Sequence, residues 1–426
     1  MVILRTKYLI LNPDTVIEDG AVVIKDGKIR QAGPAARILK KNTGYLNLNR
    51  TVLMPGLINP HTHLEGPELY GGIRPAGARK LKPPQYFPAW AAKVIKIRLR
   101  LKPRDFIKTT KHGYEICLKN GITTVGDHTH IERTLKAHQS APLRRILLEE
   151  VINLNSLTAE ETAQLVKKNL RQVSSNNSLL RIGLAPHAPY SVSGHLYQAL
   201  FKIARQMKIP LSTHLSELKE EVELLKKGKG PLLSFLKKIG RFSPFWYYPR
   251  LSPVEYLNKL GMLKPPTFLI HCNYLSQNDI KLLAQNGVSV VFCPKSQHYF
   301  GHKNHPFRQL LKNKVNVALG TDGLGSNDNL SILEEMRFIA QNYSGIRPAQ
   351  LLKMGTVNAA RALGLSKQIG LIKPGYEADL AAFPLNQNIT SPKQVIPYLI
   401  KTCPPSIMTM VSGKIVYDRH NNNSLQ

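Results

Sequence analysis

The sequence predicts an α/β protein, a (β/α)8 TIM barrel inserted in a small β-sandwich domain built from both ends of the chain. Three observations predict it. The chain has 426 residues, room for a barrel of roughly 250 residues plus an accessory domain. Eight short apolar runs alternate with helical stretches through its middle. Strand texture flanks that region on both sides. The division is residues 1–53 and 369–426 for the two parts of the β domain and 54–368 for the barrel.

Residues 2–10 and the segment AVVIKDGKIRQAG, turning at Asp26-Gly27, read as strands with a hairpin, and another short strand precedes Arg50. From Thr51 the apolar runs are VLMPGLIN, GITTVGD, RILLEEVI, LLRIGLAPH, IPLSTH, TFLIH, VSVVFCP and VNVALGTD. Between them PRDFIKTTKHGYEICLKNG, AEETAQLVKKNLRQV, GHLYQALFKIARQMK and QNDIKLLAQNG have helical spacing, the first opened by Pro103 and closed by Asn120-Gly121. Strands separated by helices run parallel. LSILEEMRFIAQNY and PAQLLKMGTVNAARALG add two helices. IGLIKPGYEADLAAF and IMTMVSGKIVYD then return to strand and are expected to rejoin the N-terminal unit. Leu64 to Leu101 and Gly228 to Gly261 exceed ordinary barrel loops, and such loops serve as lids and substrate walls.

Composition narrows the class. Hydrophobic residues make up 42% and charged ones 20%, with 29 Gly and 29 Pro spread along the chain, which excludes a disordered or fibrous protein. Lys and Arg total 59 against 27 Asp and Glu, a formal charge of +32. The excess is diffuse, densest from Lys80 to Lys111, and reads as a solvated basic surface. Cys117, Cys272, Cys293 and Cys403 show no CxxC pairing, which argues against a disulfide scaffold or zinc ribbon and fits a reducing cytoplasm. Cys272 and Cys293, flanked by apolar strand residues, read as core thiols. The first twenty residues alternate like a strand, and no apolar run approaches the ~18 residues of a membrane span. Neither export nor a membrane span is expected.

The chemistry gathers at strand ends. His61 and His63 flank Thr62 just after the first barrel strand, and residues i and i+2 of an extended chain point the same way, toward one metal ion. His214, His271 and Asp322 end the fifth, sixth and eighth strands, the positions from which catalytic groups enter a barrel's mouth. Three imidazoles and a carboxylate leave an open position on a divalent ion, where a water is acidified toward neutral pH, so hydrolysis is the natural reaction. Glu217, three residues after His214, is placed to carry protons or, alternatively, to sit as a carboxylate at a helix start. His128 and His130 form a second HxH pair near the same face and are read as loop or supporting residues, not ligands. His298 and His302 follow the seventh strand, where they either face substrate or do not. The aromatic cluster Phe242, Phe245, Trp246, Tyr247 and Tyr248 either packs its loop onto the barrel or stacks on a planar base.

With MPGLINPHTHLE, GITTVGD, APHAPYS, STHLSE, LIHCNYL, FCPKS, GTDGLGSNDNLSILEEMR and GLIKPGYEADLAAF in view, the chain resembles the amidohydrolase superfamily over nearly its whole length. Within it, the mononuclear deaminase and chlorohydrolase branch is the nearer likeness. The resemblance implies that His61, His63, His214 and Asp322 bind the metal, that Glu217 shuttles protons, and that His271 polarises the substrate. It also implies that Asp322 takes a proton from the attacking water. No lysine ends the fourth strand, so the binuclear variants built on a carbamylated lysine do not match. HTHLE, HAPYSV and TDGLGSN are similar to adenine-nucleoside deaminases such as those for S-adenosylhomocysteine, methylthioadenosine or aminodeoxyfutalosine, which implies substrate contacts for His187 and Glu65.

The function expected is therefore a metal-dependent aminohydrolase on an adenine-type nucleoside, with Zn²⁺ or alternatively Fe²⁺ as cofactor. Alternatives on the same site are a chlorohydrolase or a guanine- or cytosine-type deaminase. From a different class, a nucleic-acid-binding protein on a retired barrel would explain the charge but not the intact constellation. The expected partner is a small-molecule substrate, and a homodimer is compatible with the resemblance.

Overall fold

The computed structural model describes residues 1–39, 44–66, 86–173 and 177–420. Part of the long Leu64–Leu101 segment, and with it part of the basic stretch from Lys80, lies outside the described residues.

The N-terminal strands are β1 (Val2–Asn12), β2 (Thr15–Lys25), β3 (Lys28–Pro34), β4 (Leu46–Asn47) and β5 (Thr51–Pro55). The β2–β3 turn falls on Asp26 and Gly27, with φ of 55° and 73°, the left-handed pair that a two-residue hairpin turn requires. Eight further strands follow: β6 (Leu57–Thr62), β7 (Ile122–Thr129), β8 (Arg144–Val151), β9 (Leu180–Pro186), β10 (Leu211–Leu215), β11 (Thr267–His271), β12 (Ser289–Phe292) and β13 (Asn316–Leu319). All neighbouring pairs among these eight are parallel and follow chain order. The ring closes where Thr321 and Asp322 each donate a backbone N–H to His61 O at 3.2 Å, beside Asn59 Nδ2 donating to Thr321 Oγ1 at 2.7 Å.

Every residue of β6 and β7 is buried, because strands of such a barrel are covered by side chains within and helices without. That is why they read as apolar runs. Ile58, Ile146, Leu148, Phe268, Ile270 and Val291 fill the interior. The helices pack outside, among them Pro103–Lys119, Ala159–Gln172, Gly194–Met207 and Gln277–Asn286. Their starts are chemically marked: Ser193 Oγ accepts the Leu196 N–H at 3.3 Å, and Ser276 with Asp279 forms a reciprocal capping box.

The chain then returns to β14 (Leu380–Pro384), β15 (Met408–Val411) and β16 (Lys414–Asp418). β5 joins the two ends: it pairs parallel with β1 and antiparallel with β14 in one eight-stranded mixed sheet. Leu4, Leu9, Val22, Leu53, Leu380 and Met410 form its own apolar core.

Several elements differ from the sequence reading. PAQLLKMGTVNAARALG is two helices, Pro348–Met354 and Val357–Ala362. The break at Gly355 lets the chain pass the neighbouring helix, since a Cβ there would lie 2.4 Å from Met336 Cε, and Gly355 O accepts the Ile58 N–H at 3.0 Å. IGLIKPGYEADLAAF is strand only from Leu380, because Gly370 and Gly375 take φ of 92° and 86° in the turns before it. Helices Phe87–Arg98, Pro231–Lys238 and Pro253–Lys259 occupy the two long segments, and Pro392–Thr402 adds a helix before β15. Among the described residues no helix is long and apolar enough to cross a membrane.

Candidate active site

The C-terminal ends of the barrel strands deliver the predicted residues to one place. His61 is the next-to-last residue of β6, and one ring nitrogen from each of His61, His63, His128 and His214 lies within 4.8 Å of the others. Asp322 Oδ1 is 3.5 Å from His61 Nε2 and 3.6 Å from His63 Nε2. A tetrahedral ion with bonds of 2.0–2.1 Å would separate its ligand atoms by about 3.3 Å, so these spacings fit one. Both ring nitrogens of His61 are buried without a hydrogen-bond partner, as expected of a ligand waiting for its metal.

The surrounding bonds aim the donors. His214 Nδ1 lies 3.0 Å from His187 O and donates to it, which fixes the tautomer and leaves the Nε2 lone pair for the cluster. Asp322 Oδ2 accepts from Ser296 Oγ at 2.7 Å and Ser326 Oγ at 2.6 Å, leaving Oδ1 for the imidazoles. Burial lowers the basicity of His61 and His214, so both are neutral, the metal-binding form. Burial alone would raise Asp322; the adjacent His61, His271 and His63 outweigh it and hold the carboxyl well below its usual range.

His128 is the group that the sequence reading placed outside the ligand set and that the fold brings against His61, ring centroids 4.5 Å apart. Its Nε2 is 2.9 Å from Ser212 Oγ, so that nitrogen is already engaged.

Glu217 is buried, with Oε1 3.7 Å from His271 Nε2. Burial, then the charges of Asp322 and Glu221, push its carboxyl well above the usual range, which favours the protonated form. The helix-start role goes instead to Glu221, which accepts the Ser216 and Glu217 N–H groups at 3.0 and 2.9 Å. Ser216, His271, Cys272 and Asp322 all have left-handed φ, 49°, 67°, 55° and 58°, uncommon for side-chain-bearing residues and typical of constrained sites.

Above these groups opens a cavity of about 1270 Å³ lined by His63, His187, His214, Glu217, His271 and Asp322 at its floor. Trp90, Arg98, Phe242, Phe245 and Phe300 line its upper wall. Of the aromatic cluster, Phe242 and Phe245 face the cavity, whereas Trp246 packs into the apolar core beneath. His130 lines it too. His298 is exposed and lies against Phe338, and His302 bonds Tyr274 Oη at 2.8 Å; neither lines the cavity. Glu65 is buried behind the wall, paired with Arg98 and 3.6 Å from His130, so it holds those side chains in place and is not itself a lining residue.

Sequence reasoning passed over Arg98, the serines that hold Asp322, and Glu150, which lines the cavity at the end of β8. Two successive acids closing an apolar strand, Glu149-Glu150, were the available signal for the last.

A barrel with a histidine cluster, a carboxylate and a buried acid at its mouth defines the class of metal-dependent hydrolases. The chain belongs to the amidohydrolase family, whose model matches residues 52–416. It is similar to 5-methylthioadenosine/S-adenosylhomocysteine deaminase of Pyrococcus furiosus, 33% identical over 425 residues that cover 97% of this chain and 90% of that protein. Among solved structures, Helicobacter pylori aminofutalosine deaminase in complex with methylthio-coformycin aligns with a TM-score of 0.85 at 23% identity, covering 98% of this chain and 100% of that one. Atrazine chlorohydrolase TrzN of Arthrobacter aurescens, complexed with zinc, aligns with a TM-score of 0.80 at 19% identity over 98% and 95% of the two chains.

Proposed function

We propose that the chain is a metal-dependent hydrolytic deaminase that exchanges the exocyclic amine of an adenine-type nucleoside for oxygen and releases ammonia. The observation that carries the reading is the buried Glu217, 3.7 Å from His271 Nε2 and lining the same cavity floor as Asp322, His63 and His214. The relative from Pyrococcus furiosus, a deaminase of methylthioadenosine and S-adenosylhomocysteine, supports the substrate class.

The assigned ligands are His61, His63, His214 and Asp322, since Asp322 Oδ1 faces His61 and His63 at 3.5 and 3.6 Å whereas His128 Nε2 is turned to Ser212 Oγ. Zn²⁺ is the assigned ion, with Fe²⁺ compatible with the same donors. A divalent ion held there supplies acidity to a bound water.

The remaining work falls to side chains. Asp322 Oδ1 accepts a proton from the attacking water. Glu217 donates its proton to a ring nitrogen, which makes the amine-bearing carbon electrophilic, and His271 Nε2 steadies the developing charge from 3.7 Å. The proton held by Asp322 then passes to the amine, which leaves as ammonia, and the proton of the added hydroxyl returns to Glu217 as that exocyclic oxygen becomes a carbonyl. Water enters and ammonia departs, so the reaction balances.

Ammonia release from metal-replete protein tests the reading on adenosine, methylthioadenosine, S-adenosylhomocysteine, aminodeoxyfutalosine, guanine and cytosine, with a chelated control. Chelator-sensitive ammonia from an adenine nucleoside is the expected result. Silence on every nucleoside with the metal bound overturns it, and chloride from a triazine would install the chlorohydrolase reading in its place.

A further inference from the structure

Glu335 has no part in the chemistry just described, yet it is fully buried in the helix Ile332–Asn342. An acid in the first turn of a helix ordinarily serves that helix's own N-terminus. Here Ser331 Oγ already accepts the Glu334 N–H at 3.4 Å, and both oxygens of Glu335 reach out of the helix. Oε2 accepts the Lys295 N–H at 3.0 Å, and Oε1 accepts from Asn327 Nδ2 at 2.6 Å.

The two donors sit next to the groups that orient Asp322. Lys295 precedes Ser296, and Asn327 follows Ser326, the two serines whose hydroxyls hold Asp322 Oδ2. The serines come from separate segments, one in the helix Pro294–Tyr299 after β12 and one in the turn after β13. Asn327 Nδ2 also donates to Thr321 O at 2.7 Å, one residue before Asp322. The orientation of this amide is fixed, because its Oδ1 accepts the Asp328 and Asn329 N–H groups at 2.8 and 3.3 Å. Two donors therefore converge from two segments, and a carboxylate, an acceptor at both oxygens, satisfies them together.

Packing alone does not call for an acid at this position. Burial pushes the Glu335 carboxyl up to about 8, so an apolar side chain of similar volume would spare the fold that desolvation. It would also leave the Lys295 N–H without this acceptor and release Asn327 from the helix. The acid thus answers a need of the two segments and not of the core.

We propose that Glu335 is a positioning residue: its carboxylate ties the Lys295–Ser296 and Ser326–Asn327 segments together, keeps both serine hydroxyls on Asp322 Oδ2, and so aims Oδ1 at the metal position beside His61 and His63. The proposal rests on the assignment of Asp322 as a metal ligand above.

Two variants test it. Glu335→Gln fills the same volume but offers one acceptor where two donors arrive, and Glu335→Asp keeps the charge but is one methylene too short to reach both. Each is compared with wild type, with Asp322→Asn and with Ser296→Ala plus Ser326→Ala. The measurements are zinc affinity against a competing chelator, the visible absorption bands of the Co²⁺-loaded protein, and melting of the metal-free protein. Both Glu335 variants are expected to bind zinc about tenfold more weakly and to shift the cobalt bands, while the metal-free proteins melt as wild type does. Added to the two serine substitutions, Glu335→Gln weakens binding by less than about twofold more, because its route to Asp322 is already cut. Wild-type zinc affinity and cobalt bands in Glu335→Gln overturn the proposal, as does a loss that persists in full without the serines. Failure of both variants to fold overturns it too, by making Glu335 a packing residue. Zinc binding that survives Asp322→Asn undiminished overturns the ligand assignment itself, and this proposal with it.

Discussion

A carboxyl that is to protonate a ring nitrogen at neutral pH must first hold a proton there, and burial beside Asp322 shifts Glu217 in that direction. Glu217→Gln keeps the volume and removes the transferable proton. We expect kcat for deamination to fall about 10²- to 10⁴-fold, with metal content and melting temperature unchanged. Retention of a tenth or more of the wild-type rate would remove Glu217 from its assigned role. Asp322 depends on its neighbours in a different way, because Ser296 and Ser326 occupy Oδ2 and orient Oδ1 toward the histidines. Replacing both serines by alanine frees the carboxylate to rotate. The expected consequence is metal affinity weaker by about 10- to 100-fold, read by titration against a competing chelator. Unchanged affinity would show that the backbone alone orients Asp322. The histidines and Asp322 were legible in the sequence because strand ends of a barrel converge whatever the loops do. The two serines were not, since a hydroxyl near a site carries no pattern until the fold brings it to an oxygen atom.

The same contrast holds one scale up, among the elements. All eight barrel strands were legible because parallel buried strands are apolar along their whole length. The helices in the long segments were not, being as short as Pro253–Lys259 and set among prolines and aromatics that also suit irregular loops. The helix break at Gly355 was hidden for another reason: its cause is Met336 and Ile332 on a neighbouring helix, not anything in its own periodicity. Least legible was how the barrel is fixed to the terminal sheet. Arg144, on the first residue of β8, is buried and donates from Nε and Nη2 to Asp379 at 2.9 and 3.3 Å and from Nη2 to Glu377 at 3.2 Å. Asp379 also accepts the Ser412 N–H at 2.8 Å, so one arginine joins the barrel to the segments before β14 and after β15. Removing one partner of a buried pair strands the other charge, at a cost of about 3–5 kcal/mol. Arg144→Met should therefore lower stability to urea by that order. A double variant, Arg144→Met with Asp379→Leu, should recover much of it by leaving no buried charge alone. If the single variant is as stable as wild type, the arginine is not what secures the two parts.

At the scale of the whole molecule the formal charge of +32 sets how the fold responds to acid. Each of the 14 histidines that gains a proton adds to a surplus that already repels itself, and this contribution is long-ranged and screened by salt. A second contribution is local. His305 is buried with its ring stacked 3.8 Å from Phe292 and its Nε2 donating to His271 O at 2.7 Å. Burial pushes its pKa from 6.5 down to about 3. The unfolded chain thus takes up this proton near 6.5 and the folded chain only near 3, so between those values the unfolded state holds more protons and acidification favours it. At pH 5 the loss from this one residue is about 2 kcal/mol, 1.5 pH units at ~1.4 kcal/mol each. Urea midpoints measured from pH 7.5 to 5 should therefore fall steadily below pH 6.5. Added salt should restore the part due to surface repulsion and leave the His305 part standing, because a buried group is not screened. In His305→Gln the salt-insensitive part should shrink, while the salt-sensitive part should persist. A midpoint that stays level down to pH 5, or one that salt restores completely, would mean that His305 does not remain neutral inside the fold and that the acid response belongs to the surface alone.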